Sequence, residues 1–109
     1  MIIHEINVSK YELTPDFIYC GTSGSYGNEK IQFTFDSTWD GLAKSIAFFP
    51  HRKKGVSVLL PESGLIEIPH EATSISGKAQ FLLTGISEDR IIYALPGIFE
   101  VVSVPSGAA

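Results

Sequence analysis

The segment from Phe33 to Phe49 constrains the fold more than any other part of this chain. It holds two apolar runs separated by seven residues, Asp36 to Leu42, which include the only tryptophan, Trp39. A crossover between parallel strands needs about a dozen or more residues, so this connection is too short for one. The two runs are therefore predicted to be β-strands that pair or lie next to each other.

Further strand patterns follow along the chain. Residues 2–8 alternate apolar and polar side chains with a period of two, which is typical of a half-buried strand. Residues 45–60 predict a hairpin, and residues 87–90 predict a second hairpin turn. Other short strands are predicted at 17–20, 31–35, 65–68, 78–84, 91–95 and 98–104. Residues 10–15 are predicted to turn, and residues 69–74 are ambiguous, with one helical turn as an alternative.

The whole pattern predicts an all-β fold, because no long segment shows the apolar period of an amphipathic helix. Short strands at close spacing, with turn residues between them, are typical of a sandwich or a partly closed barrel. A chain of 109 residues can bury one core without disulfides or metals. We therefore predict a single β-sandwich domain, residues 1–109, with about seven or eight short, mainly antiparallel strands.

Composition and charge exclude several classes of protein. An apolar fraction of 44% excludes disorder, and a net charge of −4 argues against general binding of nucleic acid. Cys20 is the only cysteine, so it is interpreted as a small buried hydrophobe rather than as a disulfide partner or a reactive thiol. The amino-terminal residues lack the basic and apolar regions of a signal peptide. We therefore expect a protein made in a cytoplasm, with no membrane partner.

The residues that usually carry chemistry are too dispersed to predict an active site. The loop Gly21–Asn28 has glycines spaced like a phosphate cradle, but a strand follows it rather than a helix, which favours a plain hairpin loop. The histidines His4, His51 and His70 have no second imidazole at metal-ligand spacing. We predict no enzyme activity, no catalytic residue, no metal site and no cofactor.

Two residue pairs remain as candidate acid–base groups. His70 and Glu71 are adjacent, and Asp36 and Asp40 flank Trp39. A small enzyme would need one of these pairs to converge in a pocket with perturbed ionisation. The favoured interpretation is that the first pair is plain surface, that Asp36 caps a tight turn and that Asp40 belongs to the next one.

The strongest polar feature is a basic tip at the turn of the first predicted hairpin, made of His51, Arg52, Lys53 and Lys54. One interpretation is a solvated hairpin end. The second interpretation is a functional one: the four residues make an electrostatic contact with an acidic surface of a partner. Nucleic acid ranks third, because three adjacent bases give only a weak and salt-sensitive contact.

The order of several motifs from about Ile31 onward resembles a family of small phage and prophage virion proteins. An apolar strand is followed by Phe-Asp-Ser-Thr-Trp-Asp-Gly-Leu-Ala-Lys, residues 35–44, and then by an aromatic strand. Ile66–Glu71, Gly77 and the tail Ser106–Ala109 stand where the family has Ile-Pro-x-Glu, a glycine before a strand and a Gly-Ala-like end. The first thirty residues and the basic tip lie outside this pattern.

The resemblance implies an immunoglobulin-like β-sandwich with a structural role in the virion, as a tail, baseplate, head-fibre or capsid-decoration component. It implies other virion proteins as partners, a homo-oligomer or symmetric assembly, and synthesis in the cytoplasm of a bacterial host. It transfers no catalytic residue. Trp39, Gly41 and Leu42 are then a folding motif, with Trp39 as a plug and Gly41 at a tight turn.

The alternative function is a carbohydrate-binding β-sandwich that attaches to a surface. It predicts a patch of exposed aromatic rings drawn from Tyr19, Tyr26, Trp39 and Tyr93. The two functions therefore differ in whether these rings converge at one surface.

Overall fold

The computed structural model describes residues 2–52 and 54–103. These residues form ten β-strands, one 3-10 turn at Ser37–Trp39 and one short helix, α1, at His70–Thr73. The strands are β1 Ile2–Ser9, β2 Glu12–Thr14, β3 Phe17–Thr22, β4 Glu29–Phe35, β5 Ala43–Phe49, β6 Val56–Leu59, β7 Leu65–Glu67, β8 Gly77–Ile86, β9 Ile91–Tyr93 and β10 Gly97–Val102.

The strands form two sheets. The first has the order β2-β1-β4-β7, and the second has the order β3-β10-β8-β5-β6, with β9 beside the end of β8. β1 runs parallel to β4 and β3 runs parallel to β10, whereas the other pairings are antiparallel. The predicted all-β sandwich with mainly antiparallel strands is confirmed. The immunoglobulin-like topology that the resemblance implies stays a prediction.

One hydrophobic core lies between the two sheets. Alternate residues of each strand point into it, because successive side chains of a strand face opposite sides. Core side chains that are at most 2% exposed include Ile6, Val8, Ile31 and Phe33 from the four-stranded sheet, and Ile46, Phe48, Phe81, Leu83 and Phe99 from the six-stranded sheet. Each such burial stabilises the fold by roughly 1.5–3 kcal/mol.

The prediction that the apolar runs on either side of Trp39 pair or lie next to each other in a sheet is wrong. β4 belongs to the four-stranded sheet and β5 to the six-stranded sheet. The 3-10 turn between them is closed by hydrogen bonds from Trp39 N to Asp36 O at 3.2 Å and from Asp40 N to Ser37 O at 3.1 Å. The chain passes from one sheet to the other here, because this path buries the Trp39 ring, a large apolar surface, between the sheets.

The described residues form ten strands, where the sequence predicted seven or eight. β2 lies within residues 10–15, which were predicted to turn. It is a three-residue edge strand that ends before Pro15, because proline has no N–H to donate to a sheet. The hairpins at 45–60 and 87–90 are confirmed, since β5 pairs with β6 and β8 with β9, both antiparallel. The ambiguous residues 69–74 contain α1.

Candidate functional site

Trp39 lies in the core where the two sheets meet. Its side chain is 0% exposed, its ring centroid is 5.2 Å from that of Phe35, and its Nε1 donates to the Lys10 carbonyl oxygen at 2.7 Å. Gly41 has a φ of +76°, a left-handed conformation that costs glycine no steric strain, and Leu42 is buried. The motif Trp39, Gly41 and Leu42 therefore acts within the fold, and the indole ring is closed to ligands.

Asp36 holds the start of the same turn with both of its carboxylate oxygens. Oδ1 accepts from the Thr38 backbone N–H at 3.0 Å, and Oδ2 accepts from the Lys10 backbone N–H at 2.7 Å. These hydrogen bonds, the one from Lys10 first, lower the pKa of the Asp36 carboxyl below its ordinary value of 3.8. The turn between β1 and β2 is thereby tied to the connection between β4 and β5.

We expect Asp36→Asn to lower stability at neutral pH and to lose this effect in acid. A carboxyl whose pKa is lower in the folded than in the unfolded protein stabilises the fold fully above its unfolded pKa, near 3.8. That contribution is lost as the pH falls through the folded pKa. Calorimetry across this range should show a thermal midpoint a few degrees below wild type at neutral pH, and a difference that shrinks below about pH 4.

The matched control is Asp40→Asn. Asp40 is exposed, and its carboxylate has no hydrogen bond or ion pair within residues 2–52 and 54–103. At neutral pH its thermal midpoint should stay close to that of wild type, because an exposed side chain without a partner contributes little to stability. If Asp36→Asn behaved like this control, the capping role of Asp36 would be contradicted.

The structure places the basic tip between β5 and β6. His51, Arg52 and Lys54 are exposed, and no ion pair joins them to other described residues. Lys53 lies outside the described residues. The tip stands beside the start of β8, since a Cβ added at Gly77 would lie 3.2 Å from the Cβ of His51. Its charges at Arg52 and Lys54 are therefore available to a partner.

A contact between His4 and Glu29 joins β1 to β4, and sequence reasoning did not find it. His4 Nε2 lies 2.6 Å from Glu29 Oε1, and the two side chains are 18% and 13% exposed. The residues meet only because β1 and β4 pair in parallel. A parallel pairing needs a long connection, so no local pattern in the sequence signals it.

Glu29 also lines a small recess with Cys20, Tyr26 and Thr73. The volume open to the centre of a water molecule in this recess is about 10 Å³, so the recess holds roughly one water. Burial first, and then the charge of Glu29, raise the pKa of the Cys20 thiol to about 12. The thiol is therefore neutral near pH 7 and a poor nucleophile, and the predicted burial of Cys20 is confirmed.

The candidate acid–base pairs do not share a site. Asp36 caps its turn, whereas the Asp40 carbonyl oxygen accepts from Arg90 Nη2 at 3.2 Å. The ring of His70 lies on the surface against Tyr26, with centroids 4.4 Å apart. In the part of the chain that the structure describes, no group of three or more His, Cys, Asp or Glu is placed to hold a metal ion.

The exposed aromatic rings do not form one platform. Trp39 is buried, so a carbohydrate platform that includes this ring is wrong. Tyr19, Tyr26 and Tyr93 are 59%, 64% and 56% exposed. The strand registers place Tyr19 and Tyr93 level with positions six residues apart on β8, a separation of roughly 20 Å. Tyr26 lies on the loop after β3.

The outer face of the six-stranded sheet exposes an unusual number of large apolar side chains. Of the thirteen such exposed side chains among the described residues, eight lie on this face. We name it the apolar face, and it consists of Tyr19, Phe49, Leu59, Ile86, Ile91, Tyr93, Ile98 and Val102. They point outward because the residues that alternate with them, such as Phe48 and Phe99, fill the core.

One pair of opposite charges interrupts the apolar face. Among the strand residues that the structure describes on this face, the charged ones are Lys78 on β8 and Glu100 on β10, which are directly opposite in the register. Gln80 and Thr84 on β8 are polar but uncharged. Few charges together with exposed tyrosine and phenylalanine are typical of the centre of a protein–protein interface.

Comparison with known proteins assigns no family to the chain. A scan against protein-family models gave no match, and a search of curated proteins gave none either. Within the described residues, no helix is long and apolar enough to cross a membrane.

Proposed function

We propose that this chain is a non-catalytic assembly module of a bacteriophage or prophage virion, in a tail, baseplate, head fibre or capsid decoration. The observation that carries the proposal is the apolar face on the six-stranded sheet. Monomeric soluble proteins rarely expose a large contiguous apolar patch, and such patches mark interaction sites. An assembly module needs such a surface and needs no active site.

The size of the apolar face supports a protein partner. Its eight side chains are between 40% and 78% exposed. If a fully exposed large side chain presents about 200 Å², their exposed area is on the order of 800 Å². Each partner in a standard protein interface buries about 800 Å². The face is therefore large enough for a specific contact.

The assignment to a virion is supported by the motif pattern of residues 35–44, which resembles that of small virion proteins. Trp39 of this pattern is buried, and Asp36 caps the turn that carries it. A motif that shapes the core leaves the surfaces free to differ between proteins that share it. The partner is therefore recognised by the apolar face and the basic tip rather than by the motif.

The basic tip gives the second prediction. We expect the double variant Arg52→Gln and Lys54→Gln to reduce the number of copies per particle by roughly 5- to 10-fold, because exposed charge contacts contribute up to ~1 kcal/mol each. The protein would be supplied to assembling particles, and its copy number would be measured by quantitative mass spectrometry. The matched control is Lys30→Gln with Arg90→Gln, which changes the net charge by the same amount away from the tip. Equal incorporation of both double variants would contradict a role for the tip.

The proposed function is tested by mass spectrometry of purified phage particles from the source culture. Hundreds of copies, relative to the major capsid protein, would indicate capsid decoration or a tail tube. A handful to a few dozen would indicate a baseplate, connector or fibre. Absence from clean particles would overturn the virion assignment and make a glycan screen the next experiment.

A further inference from the structure

We propose that the apolar face binds a second copy of this chain, so that two six-stranded sheets pack face to face around a two-fold axis. This inference deepens the proposed function, because it rests on the same face as the docking surface and names its occupant. The axis lies in the interface, parallel to the strands, and runs between β8 and β10. The arrangement follows from the positions of the two charges on the face.

Lys78 and Glu100 favour a copy of the same chain over an unrelated partner. The register places them directly opposite each other on β8 and β10. In a two-fold interface, if one residue contacts another, the reverse contact also forms. An axis between these strands sets Lys78 over Glu100 of the second copy, and Glu100 over Lys78 of the second copy. Both charges of the face then lie against opposite charges of the second copy, and the two-fold axis forms this contact twice.

The neighbouring row of side chains fits the same axis. Phe17 on β3, Ile98 on β10, Gln80 on β8 and Phe49 on β5 lie in one row of the sheet. Rotation about the axis sets Ile98 over Gln80 of the second copy, and Phe17 over Phe49 of the second copy. This row holds no charged side chain, and the aromatic rings at its two ends face each other across the interface.

The area and geometry of the face also suit a second copy. Its exposed apolar area, on the order of 800 Å², equals what each partner of a standard interface buries. Two sheets that pack face to face keep their strands within about 30° of each other and lie about 10 Å apart. A two-fold axis parallel to the strands produces this aligned packing, because it keeps the strand directions of the two copies the same.

The test is the mass of the purified full-length protein in solution, measured by sedimentation equilibrium over a range of concentrations. We expect a dimer of twice 11.9 kDa at micromolar concentration. Ile98→Glu, which places a charge at the centre of the face, should weaken dimerisation at least tenfold. The matched control is Ile3→Glu, the same change at an exposed position on a strand of the other sheet, and it should leave the dimer intact.

The charge pair gives a second and more specific measurement. Lys78→Glu and Glu100→Lys should each weaken the dimer, because each sets like charges against each other across the axis. The protein that carries both changes restores opposite charges and should dimerise within about twofold of wild type. Circular dichroism checks that all variants are folded. Because Lys78 and Glu100 are also neighbours within one chain, the double exchange restores that contact too. Mixing the Lys78→Glu protein with the Glu100→Lys protein sets opposite charges only across the axis, so a heterodimer from this mixture separates a symmetric interface from a contact within the chain.

The inference is overturned if the wild-type protein is a monomer up to about 100 μM, if Ile98→Glu dimerises as wild type does, or if the double exchange fails to restore dimerisation that each single exchange weakens. A monomer that is nevertheless present in purified particles would leave the proposed function standing, with another virion protein on the apolar face. A dimer that is absent from particles would overturn the virion assignment and leave the interface standing. The two failures are therefore distinguishable.

Discussion

Replacing Trp39 with alanine is expected to lower the free energy of unfolding by about 3–5 kcal/mol. The ring is 0% exposed and touches both sheets: its centroid is 5.2 Å from that of Phe35 on β4, and a Cβ added at Gly85 on β8 would lie 2.9 Å from its Cε3. Alanine would leave a cavity there and an unpaired carbonyl at Lys10, which accepts the Nε1 hydrogen bond in the wild type. Urea unfolding at fixed protein concentration measures the loss.

Two further variants test whether the loss of stability comes from the buried Trp39 ring. Trp39→Phe removes the donor to the Lys10 carbonyl but keeps an aromatic ring in the core. It should therefore lower the free energy of unfolding less than Trp39→Ala does, because alanine leaves the larger cavity. Tyr11→Ala removes an aromatic side chain that is 55% exposed, and it should change stability by about 0.5 kcal/mol or less. A loss below about 1 kcal/mol for Trp39→Ala would contradict the assigned role of the ring.

The second large effect is expected from Gly97→Ala on β10. Gly97 is directly opposite Phe81 on β8, and the Phe81 ring lies against the glycine so closely that an added Cβ would overlap its carbon atoms. Phe81 is fully buried beside Phe48, with centroids 6.3 Å apart, so the ring has little room to move. Overpacking of this kind costs about 1–3 kcal/mol or more. Thermal and urea unfolding measure the change.

A double variant distinguishes the clash from other effects of alanine. Phe81→Leu alone destabilises by removing ring contacts, but in the Gly97→Ala protein it also relieves the overlap. The double variant should therefore be clearly less destabilised than the sum of the single variants. Gly24→Ala is a comparison for backbone strain alone, because Gly24 has a φ of +85° and an added Cβ meets nothing within 4 Å. Additive single effects at Gly97 and Phe81 would contradict the proposed overlap.

Local features of the fold were predictable because they depend on neighbouring residues. Alternation of apolar and polar side chains identified β1 and β4, and proline and glycine marked the turn between β5 and β6. Asp36 was expected to cap its turn, and its Oδ1 accepts from the Thr38 N–H. These features need only the pattern of a few consecutive residues, which fixes backbone conformation locally.

The path after β4 was not predictable in the same way. The short connection between Phe35 and Ala43 favoured strands that are neighbours in one sheet, but the same length also allows a passage between two sheets. Burial of Trp39 against Phe35 and beside Gly85 selects the passage, and Gly85 lies more than forty residues further along the chain. The contact between His4 and Glu29 escaped prediction for the same reason, since it depends on the parallel pairing of β1 with β4.

The sequence by itself determined that this protein is built from short strands, where most of its turns fall, and that it has one tryptophan placed to fill a core. The tertiary structure alone decided which strands are neighbours. Strand order depends on contacts between residues far apart in the chain, so it set which exposed side chains share the apolar face and placed Lys78 opposite Glu100. The candidate surface is therefore a property of the folded sheet, because no single segment of the chain contains it.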